Sequence, residues 1–328
     1  MPQSPAPYSA VDPAPPLCAP EQDRSTAQGK DADTHVPQAL RRAVQDAGFA
    51  DDTCRWIALC GGRSNRLWQL RHRRGDAAST VVKLFAAPDG NPLFANDPDR
   101  EARVLARLEG LGIAPRLRAQ MHTPEGRALV YDHVEGAPWR DDPAPVAHLL
   151  RRLHRSGAAK GAGLPAAPDG SAALARQAAA ILAICPDEAQ ARLAPFLGRL
   201  AARAAVPPCG ARALLHGDPV AGNLITGPKG LRLIDWQCPA LGDPCEDIAH
   251  FLSPAMQIIY RGAALSRAQE QGFMAALNAP DLAARYAALA PWYHARMAAY
   301  CAWQIARGQK DYAAAEQAET AALKTALH

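Results

Sequence analysis

The sequence lacks the features that mark membrane, secreted and zinc-binding proteins. No apolar run in its 328 residues approaches the roughly 20 residues that span a bilayer. The start of the chain has none of the basic, apolar and small-residue segments of a secretory signal. Eight cysteines are present, but they form no CxxC pair and no Cys/His spacing of the zinc type. These absences predict a cytoplasmic protein with reduced thiols and no membrane insertion.

Strong net charge and internal repeats are absent as well. The formal net charge is only +4, and the densest basic run, Arg71–Arg74, leads into Gly75-Asp76, a pair typical of turns. We interpret this run as the solvated tip of a hairpin and predict no nucleic-acid partner. No repeat of the solenoid kind is present, and the pattern predicts no particular oligomeric state.

Composition and periodicity divide the chain into three parts. Residues 1–35 hold seven prolines and few apolar side chains, which predicts a disordered tail. Residues 36–135 read as a short helix with Leu40, Val44 and Ala47 on one face, followed by short strands and a second helix that begins at Asp97-Pro98, and they predict a small β-rich lobe. Residues 136–328 are mainly helical and predict a larger second lobe. Its first helix carries an apolar stripe of Val146, Leu149, Leu150 and Leu153.

The strongest motif is His216-Gly217-Asp218, followed five positions after the aspartate by Asn223. Protein kinases use a catalytic loop H-R-D-x-x-x-x-N, in which the Asp handles the substrate hydroxyl and the Asn holds Mg²⁺. The same spacing here predicts Asp218 as the catalytic residue and Asn223 as a metal ligand. We interpret His216 as a buried, hydrogen-bonded brace of this loop.

A hairpin brings a second metal ligand to the motif. Two β-type runs, 224–226 and 231–234, flank the turn sequence Gly227-Pro228-Lys229-Gly230. A hairpin centred on Lys229 sets Asn223 nearly opposite Asp235, at the roughly 5 Å between paired Cα atoms. An amide oxygen and a carboxylate that converge in this way suit Mg²⁺.

The small lobe contains residues suited to binding a nucleotide. A glycine turn between two strand-like runs carries backbone N–H groups that can cover phosphates, and it comprises Gly61, Gly62, Ser64 and Asn65. Lys83 lies in an apolar strand, where an ammonium group needs an anionic partner. Glu101, in the next helix, is the predicted partner. Glycine turn, strand Lys and helix Glu follow the order of kinases, in which the Lys meets the α- and β-phosphates.

At these residues the chain resembles the aminoglycoside phosphotransferase/choline kinase superfamily. Members carry HGD-x-x-x-x-N followed by I-D-[WFY], which matches Ile234-Asp235-Trp236, and then a G-D-P-x-x-D-[LI]-A segment like residues 242–249. The resemblance covers roughly residues 50 to 310. It implies an α+β, two-lobed, protein-kinase-like fold, with adenine bound by backbone groups of a hinge near Asp132 and Val134.

The resemblance also implies the reaction. We expect ATP and Mg²⁺ as cofactors and an in-line transfer of the γ-phosphate to the hydroxyl of a small molecule, with Asp218 accepting the proton. A nucleotide-binding regulator without activity, a metal-dependent phosphohydrolase and a protein kinase are the alternatives. A protein kinase is disfavoured because Gly242 follows Asp235 within seven residues, which leaves no room for an activation loop.

The acceptor is predicted less directly. A helix expected from Pro291 concentrates aromatic residues, among them Tyr300 and Trp303, which pack the core or border a pocket for a cationic amino-alcohol such as choline, thiamine or an aminoglycoside. Asp243 and Asp247 are interpreted as capping groups that tie down the catalytic loop, although either could instead face a cationic substrate.

Overall fold

A computed structural model of the protein describes residues 36–59, 64–72, 79–87 and 90–328. The predicted tail at 1–35, Gly61 and Gly62, and the basic residues 73 and 74 lie outside these ranges. Across the described ranges, no helix combines the length and the apolar character that a membrane crossing requires.

The N-terminal lobe is a five-stranded antiparallel sheet with one helix on each face. Its strands lie in the order β1-β2-β3-β5-β4. The elements are α1 (Gln38–Asp46), β1 (Arg55–Leu59), β2 (Arg66–Arg71), β3 (Thr80–Leu84), α2 (Pro98–Arg107), β4 (Leu117–Thr123) and β5 (Gly126–Asp132).

Strand β3 lies in the middle of this sheet and is buried along its whole length. Its side chains alternate between the two faces, as the period of two in a strand requires. Val82 packs into the core under α1, whereas Val81 faces the core under α2. Lys83 shares the face of Val81 and therefore points toward α2 and the second lobe.

Helix α2 begins where the sequence predicts. The Asp97 side chain accepts hydrogen bonds from the N–H groups of Asp99 and Arg100, both at 3.0 Å, and Pro98 occupies the first helical turn. Val104 and Leu105 bury the helix against the sheet. This start places Glu101 in the first turn, buried on the side that faces β3.

The C-terminal lobe is mainly helical, with short strands around the catalytic-loop motif. Its helices are α3 (Ala144–His154), α4 (Ser171–Ala183), α5 (Asp187–Ala201), α6 (Cys245–Leu252), α7 (Pro254–Arg261), α8 (Arg267–Leu277), α9 (Pro280–Ala306) and α10 (Tyr312–Ala326). Its strands are β6 (Ala137–Pro138), β7 (Ala213–Leu215), β8 (Leu224–Gly227), β9 (Gly230–Leu233) and β10 (Ala240–Gly242). All four residues of the predicted stripe on α3 are buried.

Helix α9 differs from the prediction at its start. The expected helix from Pro291 is the second half of a continuous helix of 27 residues, with Pro291 inside it. Proline removes one backbone hydrogen bond, but the preceding segment 281–290 is rich in the strong helix formers Ala and Leu. Leu289 and Trp292 anchor both sides of the proline in the core, so the helix continues through it.

The connection between the lobes is itself part of the second lobe's sheet. Strand β6, just after the hinge, pairs with β8 in a three-stranded sheet of order β6-β8-β9. Gly136 has φ of +144°, and a Cβ atom there would collide with the carbonyl oxygen of Thr226. This close approach holds the chain leaving the hinge against the β8–β9 hairpin.

Candidate active site

Lys83 contacts one carboxylate in each lobe. Its Nζ lies 2.6 Å from Glu101 Oε2 on α2 and 2.5 Å from Asp235 Oδ1, just after β9. Lys83 and Glu101 are each 1% exposed, whereas the Asp235 side chain is 29% exposed. The structure therefore brings three of the predicted site residues into direct contact, with Asp235 open to the cleft.

Burial and charge act in opposite directions on this cluster. Burial lowers the pKa of Lys83, but the carboxylates of Asp235 and Glu101 outweigh it, so the pKa is raised above its usual value. Burial raises the pKa of Glu101, and the Lys83 ammonium opposes that rise. The lysine is held as a cation at the inner end of the cleft.

The hairpin that carries Asp235 has a register one residue away from the predicted one. Leu224 pairs with Leu233, and the Ile234 N–H donates to the Asn223 carbonyl at 2.9 Å, so Asn223 lies opposite Ile234. The turn consists of two residues, Pro228 and Lys229, because Gly227 and Gly230 already pair. The prediction that centred the hairpin on Lys229 was wrong by one position.

Asp235 lies one residue beyond the position opposite Asn223 and has an unusual backbone conformation. Asp235 has φ of +62°, a left-handed conformation that few residues other than glycine adopt. Such conformations persist where the surroundings impose them, often at functional sites. Here the Lys83 contact and the buried Trp236, whose Nε1–H donates to the Leu233 carbonyl at 3.0 Å, fix the residue on both sides.

Asp218 and Asn223 lie together at the end of the catalytic loop. The Asn223 Nδ2 donates to the Asp218 carbonyl at 2.9 Å and to Asp218 Oδ2 at 3.1 Å. Burial, followed by the nearby negative charge of Asp235, raises the pKa of Asp218 to about 8. Within the described ranges, no donor bonds to Asn223 Oδ1, so this amide oxygen is available as a ligand.

His216 is a brace of the loop, as predicted. It is fully buried, its Nε2 donates to the Ile234 carbonyl at 3.0 Å, and its Nδ1 accepts the Asp218 N–H at 3.2 Å. This pattern requires the neutral Nε2–H tautomer, and burial lowers the pKa of His216 accordingly. The ring thus joins the Asp218 backbone to the strand that leads to Asp235.

Asp247 holds the same loop from the opposite side. Its Oδ2 accepts the His216 N–H at 3.0 Å, and its Oδ1 accepts the Gly217 N–H at 2.9 Å. Burial favours the neutral acid, but the hydrogen bond and charge of His154 and the Gly217 N–H lower the pKa of Asp247 overall. A Cβ atom at Gly217 would collide with the Cys238 carbonyl oxygen, so this position requires glycine.

Asp243 also has a structural role. Its Oδ1 accepts the Cys245 N–H at 3.0 Å at the start of α6, and its Oδ2 accepts Arg285 Nε at 2.6 Å. Asp243 is 1% exposed and Asp247 is fully buried. Neither carboxylate faces the cleft, so the alternative in which they meet a cationic substrate does not fit this structure.

Amide side chains around the glycine turn were missed by the sequence analysis. The Asn65 Nδ2 donates to Asn96 Oδ1 at 2.9 Å and to Gln237 Oε1 at 2.6 Å, and the Asn65 Oδ1 accepts the Ala86 N–H at 3.0 Å. The Asn65 side chain therefore bonds to both lobes, while the binding of a nucleotide by the backbone of this turn stays a prediction. Ser64 is half-buried next to it. Only the adjacency of Gln237 to the I-D-W segment could have suggested this amide cluster.

The hinge presents backbone groups to the cleft. Strand β5 ends at Asp132, whose N–H donates to the Arg116 carbonyl at 3.0 Å, and the His133 N–H donates to the Ser79 carbonyl at 2.9 Å. Among the residues that the structure describes, none bonds to the N–H or the carbonyl of Val134. An adenine ring could pair with these groups.

The aromatic residues of α9 belong to the core. Tyr300 and Trp303 are 3% and 7% exposed and stack on each other with ring centroids 5.7 Å apart. Phe94, from the segment between β3 and α2, packs edge-on against Tyr300 at 5.1 Å. These rings are therefore covered, as the core alternative predicts, and a role for them at the border of the acceptor pocket stays a prediction.

The site combines the Lys83 ammonium group, which contacts Asp235 of the second lobe, with Asn223 and Asp218 at the end of the catalytic loop. The model of the phosphotransferase enzyme family matches residues 55–292, which is most of the chain and includes all of these groups. The chain belongs to this family. It is a phosphotransferase of the kinase type that acts on hydroxyl groups, as the catalytic-loop motif predicted.

Solved structures share the fold of this phosphotransferase at low sequence identity. Choline kinase LicA from Streptococcus pneumoniae is 17% identical with a TM-score of 0.58, over 87% of this chain and 98% of that one. Amicoumacin kinase hAmiN, solved with AMP-PNP and Ca²⁺, is 11% identical with a TM-score of 0.56, over 87% and 93%. Spectinomycin phosphotransferase, solved with ADP and spectinomycin, is 12% identical with a TM-score of 0.56, over 87% and 92%.

These likenesses establish the two-lobed kinase-like fold predicted from the sequence. A comparison with curated protein sequences gives no match.

Proposed function

We propose that this phosphotransferase moves the γ-phosphate of ATP to a hydroxyl group of a small molecule. The observation that carries the proposal is the contact between Lys83 and Asp235, which joins the lobes, next to the hydrogen-bonded pair of Asp218 and Asn223. Phosphoryl transfer needs positioning and charge neutralisation more than covalent chemistry, and this set supplies both. The nucleotides bound to two of the structural neighbours support the choice of ligand.

The nucleotide would lie along the inner wall of the cleft. Lys83 is the residue proposed to meet its phosphates, and Glu101 keeps that ammonium in place. The backbone at Asp132 and Val134 would receive the adenine. The glycine turn with Gly61, Gly62 and Ser64 is proposed to cover the phosphates, while Asn65 holds the end of that turn.

Asn223 and Asp235 are the residues proposed to hold Mg²⁺. The fit rests on the donor set, which is the Asp235 carboxylate, open to the cleft, and the Asn223 amide oxygen, to which no donor of the described residues bonds; both are hard oxygen ligands. The cation would neutralise charge on the nucleotide phosphates. Asp218 is then proposed to orient the acceptor hydroxyl and to take its proton, with its carboxylate held by Asn223 and its backbone by His216.

The acceptor is proposed as a small hydroxylated molecule. A cationic amino-alcohol, the acceptor expected from the aromatic helix, stays a prediction. ATP is the phosphate donor, so the cytoplasm remains the proposed compartment.

The roles of the two aspartates can be separated experimentally. Asp218→Asn should lower turnover by orders of magnitude while Mg²⁺-dependent binding of AMP-PNP stays within a few-fold of wild type, because only the proton acceptor is lost. Asp235→Ala should abolish Mg²⁺-dependent AMP-PNP binding, because a metal ligand is lost. Calorimetric titration gives the binding, and ³¹P NMR of ATP with a panel of hydroxyl compounds gives the transfer. Near-normal turnover in Asp218→Asn would overturn the assignment.

A further inference from the structure

Two arginines on the exposed side of α2 bind a loop of the second lobe. Arg103 and Arg107 are four residues apart, the spacing that places side chains on one face of a helix. Their guanidinium groups donate to five backbone carbonyls of the segment 158–163, which follows α3. Arg103 NH1 donates to Ala162 and Gly163, at 3.3 and 3.0 Å, and Arg107 donates to Ala158, Lys160 and Gly161, at 3.4, 2.6 and 2.6 Å. Helix α2 is therefore bonded along its side to the other lobe.

The backbone of this loop presents its carbonyls to α2. Gly161 and Gly163 both have φ of +61°, a left-handed conformation that other residues rarely adopt. A Cβ atom at Gly161 would lie 3.8 Å from Arg107, and one at Gly163 would lie 3.4 Å from Arg103, so each guanidinium group lies beside a glycine. The loop thus depends on glycine at the positions where the arginines bind it.

Backbone hydrogen bonds join both ends of α2 to the second lobe as well. At the start of the helix, the Asp97 N–H donates to the Gln237 carbonyl at 3.4 Å. Beyond its end, the Leu233 N–H of β9 donates to the Ile113 carbonyl at 2.8 Å. The helix that carries Glu101 is thus attached to the second lobe at its start, along its side and beyond its end.

The loop that binds the arginines is itself attached to the catalytic loop. It begins four residues after His154 of α3, whose Nε2 lies 2.8 Å from Asp247 Oδ2. Asp247 in turn accepts the Gly217 N–H at 2.9 Å, next to Asp218. On the other side of the loop, the segment 165–167 forms two backbone hydrogen bonds with β10, which pairs with β7, the strand that leads into the catalytic loop. Movement of the loop relative to Asp218 is therefore restricted from both sides.

Glu101 transmits the position of α2 to Lys83. It lies in the first turn of the helix, and its Oε2 is 2.6 Å from Lys83 Nζ. We propose that Arg103 and Arg107 are positioning residues for phosphoryl transfer. By holding α2, they fix the Lys83 ammonium group at a set distance from Asp218, and a misplacement of about 1 Å at such a site can lower a rate about 100-fold. The inference rests on the proposed function, in which Lys83 meets the phosphates of ATP.

The arginines can be tested through nucleotide binding, which needs no acceptor. Arg103→Met combined with Arg107→Met keeps apolar side chains but removes all five hydrogen bonds, and it should weaken the binding of Mg²⁺ with AMP-PNP at least fivefold in calorimetric titration. Arg103→Lys with Arg107→Lys keeps a cationic donor at each position and should bind more tightly than the methionine pair. Arg42→Met is the matched control and should leave the affinity unchanged, since Arg42 is exposed on α1 and its side chain has no hydrogen bond to the described residues.

Combination with Glu101→Gln separates a positioning role from a structural one. Because the arginines act through Glu101, the methionine pair should weaken AMP-PNP binding less than twofold further in a Glu101→Gln background. A purely structural role would instead give the same loss of affinity with and without Glu101.

The loop is tested from the second lobe. Gly161→Ala with Gly163→Ala disfavours the left-handed backbone, so it should displace the carbonyls and weaken AMP-PNP binding as the methionine pair does. Gly308→Ala is the control, because Gly308 has φ of +86° after α9 and a Cβ atom there would meet open space. Thermal unfolding shows whether each variant is folded. Arg107→Met alone, with at least a twofold loss expected, replaces the double variant if that variant does not fold.

The outcomes distinguish this inference from the proposed function. Wild-type protein that fails to bind Mg²⁺ with AMP-PNP would contradict the proposed function, and this inference with it. If the wild type binds, folded methionine variants that bind within twofold of it would overturn the inference alone. A loss of affinity that is the same in the Glu101→Gln background would do so too.

Discussion

Buried ion pairs fix the positions of key residues in this protein, Lys83 above all. Lys83 is 1% exposed and has two carboxylates within 2.6 Å. A charge buried in this way is tolerated only when it is paired, and removal of one partner commonly costs about 3–5 kcal/mol. The sequence predicted the Lys83–Glu101 pair because a lysine in an apolar strand demands an anion. The second partner, Asp235, was predicted only as a metal ligand, because its contact with Lys83 depends on how the lobes meet.

The interaction between Lys83 and Glu101 can be measured with a double-mutant cycle. Lys83→Met should lower kcat/KM for ATP more than Glu101→Gln, because the glutamate acts only through the lysine. The double variant should resemble Lys83→Met alone, with a coupling energy of about 0.5–3 kcal/mol. Zero coupling in this cycle would disprove the functional ion pair. Glu109→Gln is the control, since Glu109 forms an ion pair with Arg116 in which both side chains are more than half exposed.

His250 makes stability depend on pH. Its pKa is lowered from 6.5 to about 3, mainly by burial, so between these values the unfolded chain binds a proton that the folded chain does not. The contribution of this residue to the free energy of unfolding is fully present well above pH 6.5 and is lost as the pH falls toward 3. From about pH 7.5 to about pH 5.5 the loss should be about 1 kcal/mol. Urea unfolding at both values should show a smaller loss in His250→Phe than in wild type; an equal loss would contradict a neutral buried His250.

At the scale of elements, local patterns were predictive and loop conformations were not. The start of α2 at Asp97-Pro98 and the buried stripe of α3 follow from capping and periodicity. The predicted β8–β9 register was wrong by one residue because the sequence Gly-Pro-Lys-Gly fits a two-residue turn as well as a three-residue turn. The left-handed backbone of Asp235 has no local signature, so the sequence could place Asn223 and Asp235 near each other but could not give their geometry.

The segment between β3 and α2 escaped prediction. Its sequence, with two Asn, two Pro and one Gly, reads as an ordinary loop, yet it reaches the second lobe. Phe94 packs between His250 and Tyr300, and the Ala95 carbonyl accepts a hydrogen bond from Cys238 Sγ at 3.0 Å. Contacts of this kind depend on the arrangement of both lobes and leave no periodic pattern.

The amide cluster joins this segment to the site. Gln237 is 6% exposed, accepts from Asn65 at 2.6 Å and lies two residues after Asp235. Gln237→Met should free the end of the glycine turn and raise the KM for ATP several-fold, with little change in the KM for the acceptor. The steady-state kinetics of Gln45→Met provide the control, because Gln45 makes a comparable hydrogen bond to Asp52 on the exposed surface. Equal effects on both KM values would mean that the cluster only stabilises the fold.

The whole molecule is held together by contacts that start in one lobe and end in the other. Lys83 meets Asp235, Asn65 meets Gln237, and Phe94 with Leu93 packs against the apolar cluster of α7 and α9. Strand β6 adds the chain leaving the hinge to the second lobe's hairpin. The division at residue 135 stays a prediction, and these contacts across it predict that the two lobes share their stability.

The contacts between the lobes predict that the second lobe is less stable when it is isolated. A fragment of residues 136–328 would lose the Phe94 cover over Tyr300 and the cation opposite Asp235, so apolar and charged groups that are buried or paired in the whole chain would face water. We expect the fragment to bind a hydrophobic dye and to unfold at a clearly lower temperature than residues 36–328, which should unfold in one cooperative transition. Mg²⁺ with AMP-PNP should raise the unfolding temperature of the longer chain only, because the proposed nucleotide site needs both lobes. A fragment that unfolds at the same temperature as the longer chain would show that the second lobe is stable by itself.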